Sequence, residues 1–308
     1  MQLASRAMRS GGGYEMSDAQ QALAGRIVAV FNIGSGSCDA GAHDQAQRIF
    51  EEAGFQEVDI HVVEPSEVGD ALRRAVSNAD VLVVLGGDGT IGGAATLCGE
   101  AGPLLIPLPG GTMNMLPKAL YGTADWPSAL KATLAAPEIK TVSGGDAEGH
   151  RFYCAAIFGA PSLWADAREA VREGDLVEAA KRAVTATRRS LSDAIDYEFG
   201  AMSGSADAVA VICPLISQAM DGHEAALEAV ALDPGTAAGL FGLAFHAAFD
   251  GWRNDPSVTR AKVRCVEVLA HGEIPAILDG EKVQIERHAK ITFLPTAFRA
   301  LVPRAAST

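Results

Sequence analysis

One segment restricts the fold of this chain more than any other: an apolar run that ends in a glycine-rich turn. Residues 81–85 are all apolar, and Gly86-Gly87-Asp88-Gly89-Thr90 follows them directly. An uninterrupted apolar run is typical of a strand buried on both faces of a parallel sheet. Glycines let backbone N–H groups approach a bound anion, and the start of a helix favours negative charge. The segment therefore predicts a strand, a phosphate-binding turn and a helix.

An aspartate inside a phosphate-binding turn requires an explanation, because its charge repels phosphate. Asp88 is therefore expected to act through Mg²⁺ or through hydrogen bonds that hold the loop in shape. The alternative is an ordinary tight turn between a strand and a helix. Glycines alone would suffice for such a turn, and it would not need the carboxylate of Asp88.

A second glycine turn follows the next apolar run, in the segment Pro107-Leu108-Pro109-Gly110-Gly111-Thr112-Met113-Asn114. Turns of this kind at the ends of neighbouring parallel strands would face the same crevice. The sequence has no GxxxxGK[ST] motif, so it does not predict a P-loop nucleotide site.

The first part of the chain predicts a parallel sheet. Strand-like apolar runs at 27–32, 58–63, 81–85 and 104–108 are separated by helical patterns. Strands that alternate with helices imply a parallel sheet covered by helices on both faces. We therefore expect an α/β protein whose N-terminal domain is a doubly wound parallel sheet.

The pattern changes after about residue 141, where hydrophobic residues alternate with period two in short stretches joined by polar turns. Such alternation indicates mostly antiparallel strands. Helical inserts are expected at 161–173, 176–191 and 236–252. The C-terminal domain is therefore predicted to be β-sandwich-like, mostly antiparallel, with helical inserts.

These patterns divide the chain into segments with different expected roles. We expect a disordered leader at 1–25, an α/β domain with the glycine turns at 26–141, a β-rich domain at 142–294 and a tail at 295–308. The cleft between two domains is the usual place for a ligand.

Composition argues against several classes of protein. The net charge of −13 disfavours nucleic-acid binding, since a phosphate backbone needs a basic surface. The five cysteines are widely spaced and odd in number, so they predict neither a disulfide framework nor a metal site. No stretch approaches the ~20 apolar residues that cross a bilayer. We therefore expect a protein of the reducing cytoplasm.

Together, the two glycine turns resemble the paired signature of the diacylglycerol kinase and sphingosine kinase family, whose catalytic domain is related to NAD kinases. The family's first loop has the form Asn-Pro-x-Ser-Gly, and Asn32-Ile33-Gly34-Ser35-Gly36 occupies the equivalent place without the proline. Near its end the family carries Asp-Gly-Glu, which matches Asp279-Gly280-Glu281. Alone, that tripeptide predicts only a hairpin turn. The resemblance covers about residues 26–303, and it implies that the domain at 26–141 binds a nucleotide, that the domain at 142–294 binds the substrate and that the tail at 295–308 returns to the first domain.

This resemblance implies an enzyme that uses ATP and Mg²⁺ and transfers the γ-phosphate to the hydroxyl of diacylglycerol or a related lipid alcohol. Glu281 would deprotonate the acceptor, and Asp88 would be a second catalytic residue. Asp221 is expected to bind Mg²⁺ in a loop of the second domain. The residues expected to contact the nucleotide are Asn32, Ser35, Gly36, Gly86, Gly87, Gly89, Thr90, Gly110, Gly111, Thr112, Asn114 and Asp279.

One departure from the family keeps alternatives open. Ile91-Gly92-Gly93 stands where the family usually has a hydrophobic residue followed by Asn and Glu, which removes polar contacts near the nucleotide. One alternative is a kinase of NAD or of another soluble alcohol. The other is a nucleotide- or lipid-binding protein without catalysis. For a lipid kinase we expect transient contact with a membrane surface, and a homodimer is left open.

Overall fold

The computed structural model describes residues 16–159, 194–221, 224–232 and 258–304. Strands alternate with helices in the first part: α1 (Asp18–Leu23), β1 (Ile27–Asn32), α2 (Ala42–Glu52), β2 (Val58–Val63), α3 (Val68–Val76), β3 (Val81–Gly86), α4 (Asp88–Cys98), β4 (Leu104–Pro109), α5 (Met115–Tyr121) and α6 (Trp126–Ala135).

The described part of the chain after α6 is built from strands. They are β5 (Pro137–Ala147), β6 (His150–Phe152), β7 (Ala155–Gly159), β8 (Ile195–Phe199), β9 (Met202–Ala206), β10 (Ala208–Ile212), β11 (Leu227–Leu232), β12 (Val258–Val263), β13 (Cys265–Leu269), β14 (Ile274–Leu278), β15 (Glu281–Ile285) and β16 (His288–Pro303). The predicted helical inserts at 161–173, 176–191 and 236–252 lie outside the described residues.

Parallel pairing in the order β2-β1-β3-β4 forms the N-terminal sheet. Successive side chains of a strand point to opposite faces, so a strand that is apolar throughout fills two cores. In β3, Val83 and Leu85 pack with α1, α2 and α6, whereas Leu82 and Val84 pack with α3 and α4. This arrangement explains the continuous apolar runs and confirms the doubly wound α/β prediction.

The strand β16 joins the parallel sheet to the rest of the chain. It pairs in parallel with β4 at Ala300 and Leu105, and in antiparallel fashion with β5 and β13. The sheet continues through β13 to β8 and β9, so one ten-stranded sheet spans both parts of the chain. An irregularity between Leu294 and Phe298 shifts the register of β16 against β5, as a β-bulge does where a strand bends.

A second sheet packs against the C-terminal part of the first. Its six strands are antiparallel in the order β12-β11-β10-β7-β14-β15. A buried core lies between the two sheets, with Phe158, Phe199 and Val211 among its members. The predicted antiparallel, sandwich-like C-terminal part is thereby confirmed. The predicted domain limits at 141 and 294 fall inside β5 and β16, because those strands belong to the sheet that both parts share.

The prediction of a disordered leader is wrong for residues 16–25, which contain α1. Ser17 caps this helix in a capping box with Gln20, which satisfies N–H groups at its start. Ala19 and Leu23 are buried in the core on the α2 and α6 side of the parallel sheet. Apolar burial orders the helix even though the segment is short and polar on its other face.

Among the helices that the structure describes, none combines the length and the apolar character required to cross a membrane.

We predict that Leu23→Ala lowers the free energy of unfolding by about 2 kcal/mol, near the low end for a buried leucine because a terminal helix can readjust. Urea denaturation measures this change. The exposed neighbour Gln21 provides the matched control, and Gln21→Ala should stay within about 0.5 kcal/mol of the parent. Equal effects of the two substitutions would show that α1 is not part of the core.

Candidate active site

Three loops meet at the carboxyl ends of neighbouring parallel strands. The first loop (residues 32–36) follows β1, the second loop (residues 86–90) follows β3, and the third loop (residues 109–114) follows β4. The strands β1, β3 and β4 are adjacent in the sheet, so the loops share one edge. Ligands of open α/β sheets bind at this edge.

Glycine is required where the second and third loops touch. The N–H of Gly110 donates to the carbonyl of Gly86 over 2.8 Å. A Cβ added at Gly110 would lie 2.8 Å from the Gly86 nitrogen, and one added at Gly111 would lie 2.7 Å from the Gly87 Cα. Because real Cβ atoms do not approach backbone so closely, any other residue would force the two loops apart.

The Asp88 carboxylate holds the second loop to the third. Its oxygens accept the N–H of Asn114 over 2.9 Å and the N–H of Met115 over 2.7 Å. Those groups lie at the N-terminus of α5, where helix N–H groups lack partners inside the helix. A charged acceptor strengthens such bonds. Of the two roles that the sequence allows for Asp88, the structure displays the hydrogen bonds that fix the loop.

Asn114 shapes the third loop from within. It is a buried residue with φ 52°, in the left-handed region that asparagine tolerates. Its side-chain oxygen accepts the N–H of Gly111 over 2.8 Å, and its amide nitrogen donates to the Gly111 carbonyl over 2.7 Å. Both ends of this amide are therefore engaged by the loop that carries it, so the described contacts of Asn114 are structural.

The Asn32 side chain ties the first loop to the second. Its amide nitrogen donates to the Thr90 hydroxyl over 2.9 Å, and its oxygen accepts the N–H of Gly34 over 3.0 Å. Just beyond the first loop, the N–H of Ser37 donates to the Gly110 carbonyl over 2.9 Å. The three loops are consequently one connected unit. Ser35 is buried in it, whereas the loop residues that are exposed or half-exposed to solvent include Gly36, Gly87, Gly89, Thr90 and Thr112.

The start of α4 offers N–H groups to an anion. Gly87 is its N-cap residue and gives the helix no side-chain hydrogen bond. The first N–H groups of a helix without such a cap, together with the helix dipole, attract phosphate. The second loop therefore combines a glycine backbone with a helix N-terminus.

Asp279-Gly280 forms a two-residue hairpin turn between β14 and β15. The turn residues have φ of 49° and 94°, as a type I′ turn requires, and Leu278 pairs with Glu281 across it. The same turn brings Glu281 to the second loop, because a Cβ added at Gly89 would lie 2.7 Å from Glu281 Oε1. The tripeptide is thus both an ordinary hairpin turn and a part of this site.

The Asp279 carboxylate accepts hydrogen bonds from the backbone between β6 and β7. It accepts the N–H groups of Tyr153, Cys154 and Ala155 over 2.6, 2.8 and 2.9 Å. Burial raises the pKa of Asp279 to about 6, against the lowering effect of these hydrogen bonds, and the nearby Asp88 charge raises it further. The contacts give Asp279 a structural role, whereas its predicted contact with the nucleotide stays a prediction.

Two residues at the site have no counterpart in the sequence predictions. The Tyr153 hydroxyl lies 2.8 Å from the Thr96 hydroxyl of α4, and the Tyr153 ring packs edge-on against Phe298 at 5.3 Å. No motif marks either residue, and their separation along the chain leaves no local pattern that could have revealed the pair.

The predicted Mg²⁺ site at Asp221 stays a prediction. Asp221 is exposed, and its carbonyl accepts the N–H of Glu224 over 3.2 Å. Gly222 and His223, which complete the proposed loop, lie outside the described residues. Within the described residues, no group of three or more His, Cys, Asp or Glu side chains is arranged to hold a metal ion.

Comparison with known proteins gives a family-model match in the first part of the chain. Residues 26–146 match the model of the diacylglycerol kinase catalytic domain. This match contains all three loops.

Solved structures share the fold over nearly the whole chain. A diacylglycerol kinase from Bacillus anthracis str. Sterne is 15% identical, with a TM-score of 0.67 over 90% of this chain and 96% of that one. A second B. anthracis str. Sterne protein, named as a candidate diacylglycerol kinase, is 19% identical, with a TM-score of 0.67 over 90% and 97% of the two chains. At these identities the likeness shows the fold alone. By its sequence match, the segment 26–146 is similar to the diacylglycerol kinase catalytic domain.

Proposed function

We propose that this protein is an ATP-dependent lipid kinase, which transfers the γ-phosphate of ATP to the hydroxyl of diacylglycerol or a related lipid alcohol. The observation that carries the proposal is the position of Glu281, whose carboxylate lies against Gly89 of the second loop. A proposed proton acceptor from the C-terminal part of the chain thus lies beside the second loop, the proposed phosphate-binding loop of the N-terminal part. Phosphoryl transfer needs such positioning together with stabilisation of negative charge.

The loops fit a nucleotide polyphosphate. Glycines at the contact of the second and third loops expose backbone, and the start of α4 supplies N–H groups. The Asp88 charge is directed to the N–H groups of Asn114 and Met115, which reduces its repulsion of phosphate. Thr90, held by Asn32, and Thr112 would add hydroxyl donors to the same surface.

Mg²⁺ fits the site as a companion of the nucleotide, because it is usually bound by one or two carboxylates and by substrate phosphates, not by a full protein cage. Asp88 is the loop carboxylate that would hold it, through the lone pairs that its backbone bonds leave free. When bound, Mg²⁺ neutralises charge that develops on the phosphates.

Glu281 would accept the proton of the acceptor hydroxyl. It is exposed, and no described residue pairs with its carboxylate. A carboxylate that forms no hydrogen bond or ion pair with another group can accept a proton from a substrate. The substrate would then lie between Glu281 and the second loop, with its hydroxyl directed at the terminal phosphate.

The lipid acceptor is proposed from the name of the family and of the structures that share the fold. We propose a cytoplasmic protein that meets the membrane surface only transiently; the homodimer stays a prediction. The kinase of NAD or of a soluble alcohol, and the binding protein without catalysis, remain the competing proposals.

A panel of acceptors tests the function. The protein is incubated with labelled ATP and Mg²⁺ and with diacylglycerol, sphingosine or ceramide in mixed micelles, or with NAD in solution. We expect labelled phosphate on diacylglycerol or a related lipid alcohol. Transfer to NAD alone would replace the lipid kinase by an NAD kinase, and ATP binding without any transfer would indicate a binding protein.

We predict that Asp88→Ala abolishes kinase activity and weakens ATP binding, because the second and third loops lose the carboxylate that joins them. Calorimetric titration with ATP and a kinase assay measure both effects. The cost in stability should be only about 1 kcal/mol, as for other lost helix caps.

Asp125 offers a matched control, since its carboxylate accepts the N–H of Ser128 at the start of α6. Asp125→Ala should cost similar stability without loss of activity. An Asp88→Ala protein with parental turnover would contradict the assignment of the loops.

We predict that Glu281→Gln lowers kcat by about 10²–10⁴-fold, the usual contribution of a general base, because glutamine keeps the size of the side chain but cannot accept the proton. Steady-state kinetics measure kcat, and the KM for ATP should be unchanged because the loops hold the nucleotide.

Glu273 lies just before β14 of the same hairpin, and Glu273→Gln is the control that should leave kcat at the parental value. If Glu281→Gln left kcat intact and weakened ATP binding, Glu281 would contact the nucleotide or its metal, and the base would have to be another residue.

We predict that most of the protein stays unbound in a flotation assay with vesicles of anionic lipid that contain diacylglycerol, since its net charge of −13 disfavours adhesion to an anionic surface. Activity should nevertheless rise when the acceptor is presented in a bilayer. Tight binding that persists at high salt would contradict transient contact.

A further inference from the structure

We infer that Tyr153 and Asp279 form one positioning unit, which holds Glu281 at its place beside the second loop. The inference rests on the proposed function, since it concerns the residue proposed there as the proton acceptor. Neither Tyr153 nor Asp279 needs to touch a substrate for this role.

Two residues of the second part of the chain reach one face of α4. Glu281 lies against Gly89, in the first turn of the helix, and the Tyr153 hydroxyl lies 2.8 Å from Thr96. Thr96 follows Gly89 by about two helical turns, so both face the same side of the helix. The two contacts are therefore a pair of supports along a single helix face.

Asp279 connects the two supports. Its carboxylate accepts the N–H of Tyr153 over 2.6 Å, and its own N–H donates to the Ala155 carbonyl over 2.9 Å. It also begins the tight turn that ends at Glu281. A displacement of the Tyr153 backbone would consequently move the turn, and with it the Glu281 carboxylate.

The hydrogen bond between Tyr153 and Thr96 has a defined direction. The Thr96 hydroxyl donates to the Gly92 carbonyl over 2.9 Å, so the Tyr153 hydroxyl donates to Thr96. Burial raises the pKa of Tyr153 to about 12, which keeps this donor protonated at neutral pH. Tyr153 is only 1% exposed and its ring packs against Phe298, so the ring stays in place if the hydroxyl is removed.

The supports also explain why Asp279 is an aspartate. Asparagine tolerates positive φ equally well and would keep the turn. Its NH₂ group, however, would replace a carboxylate oxygen that now accepts a backbone N–H. Two donors would then face each other, and a buried donor without an acceptor is costly. Asp279→Asn is therefore a substitution that preserves the turn and weakens its link to the Tyr153 backbone.

The test uses Tyr153→Phe, Thr96→Val and Asp279→Asn in the full chain, each alone and in combination with Glu281→Gln. Each single variant should lower kcat by roughly three- to tenfold, the effect of one lost hydrogen bond, with an unchanged KM for ATP. Tyr153→Phe combined with Thr96→Val should be no worse than either alone. In the Glu281→Gln background, none should lower kcat further, because the unit acts through Glu281.

Matched controls separate positioning from general damage. Tyr197 is a buried tyrosine stacked on Phe199, and Thr133 donates to a carbonyl of its own helix as Thr96 does. Tyr197→Phe and Thr133→Val should leave kcat unchanged.

Unchanged kcat in Tyr153→Phe would overturn the inference. An equal further loss in the Glu281→Gln background would also overturn it, since the effect would then not pass through Glu281. A parent protein that transfers phosphate to no acceptor would instead overturn the proposed function, and the two failures are thus distinguishable.

Discussion

The bonds from the Asp88 carboxylate to the N–H groups of Asn114 and Met115 hold the site together. They join the loop after β3 to the start of α5, and so bring two glycine turns within backbone contact at Gly86 and Gly110. Glycine alone permits that contact, and Asp88 makes it stable. Without the carboxylate, the N-terminus of α5 would have no charged acceptor and the third loop would have no fixed distance from the second. The remaining contacts of the site are organised around this junction.

A sheet shared by both parts of the chain sets the position of Glu281. The strand β16 lies beside β4 of the parallel sheet and also pairs with β5 and β13. The second sheet packs on this extension through a common apolar core, and its β14–β15 hairpin carries Glu281. Since strand pairing and core packing both resist displacement, the hairpin is held firmly relative to the loops. The distance between Glu281 and Gly89 is therefore a property of the whole fold, not of a flexible segment.

Local patterns in the sequence predict the elements but not their partners. The alternation of strands and helices predicts the parallel sheet, and Gly86-Gly87-Asp88-Gly89-Thr90 marks the loop after β3. The backbone donors to the Asp279 carboxylate were not predictable, because Tyr153 is separated from it by 126 positions and no period relates them. The helix α1 was missed although Ser17 and Gln20 form a capping box that is visible in the sequence. Its burial depends on a surface made by α2 and α6, which no local pattern describes.

Two of the carboxylates near the loops are bound by backbone N–H groups, whereas a third is not. Asp88 and Asp279 both lie beside the site; burial raises the pKa of Asp279, and the nearby Asp88 charge raises it further. Each directs its charge to backbone N–H groups of a neighbouring segment, so each stabilises the fold and is partly neutralised there. Glu281 differs, because it is exposed and pairs with no described residue. The chain thus separates the carboxylates that build the site from one that pairs with no described residue. This separation is the physical reason for proposing Glu281, and not Asp88, as the base.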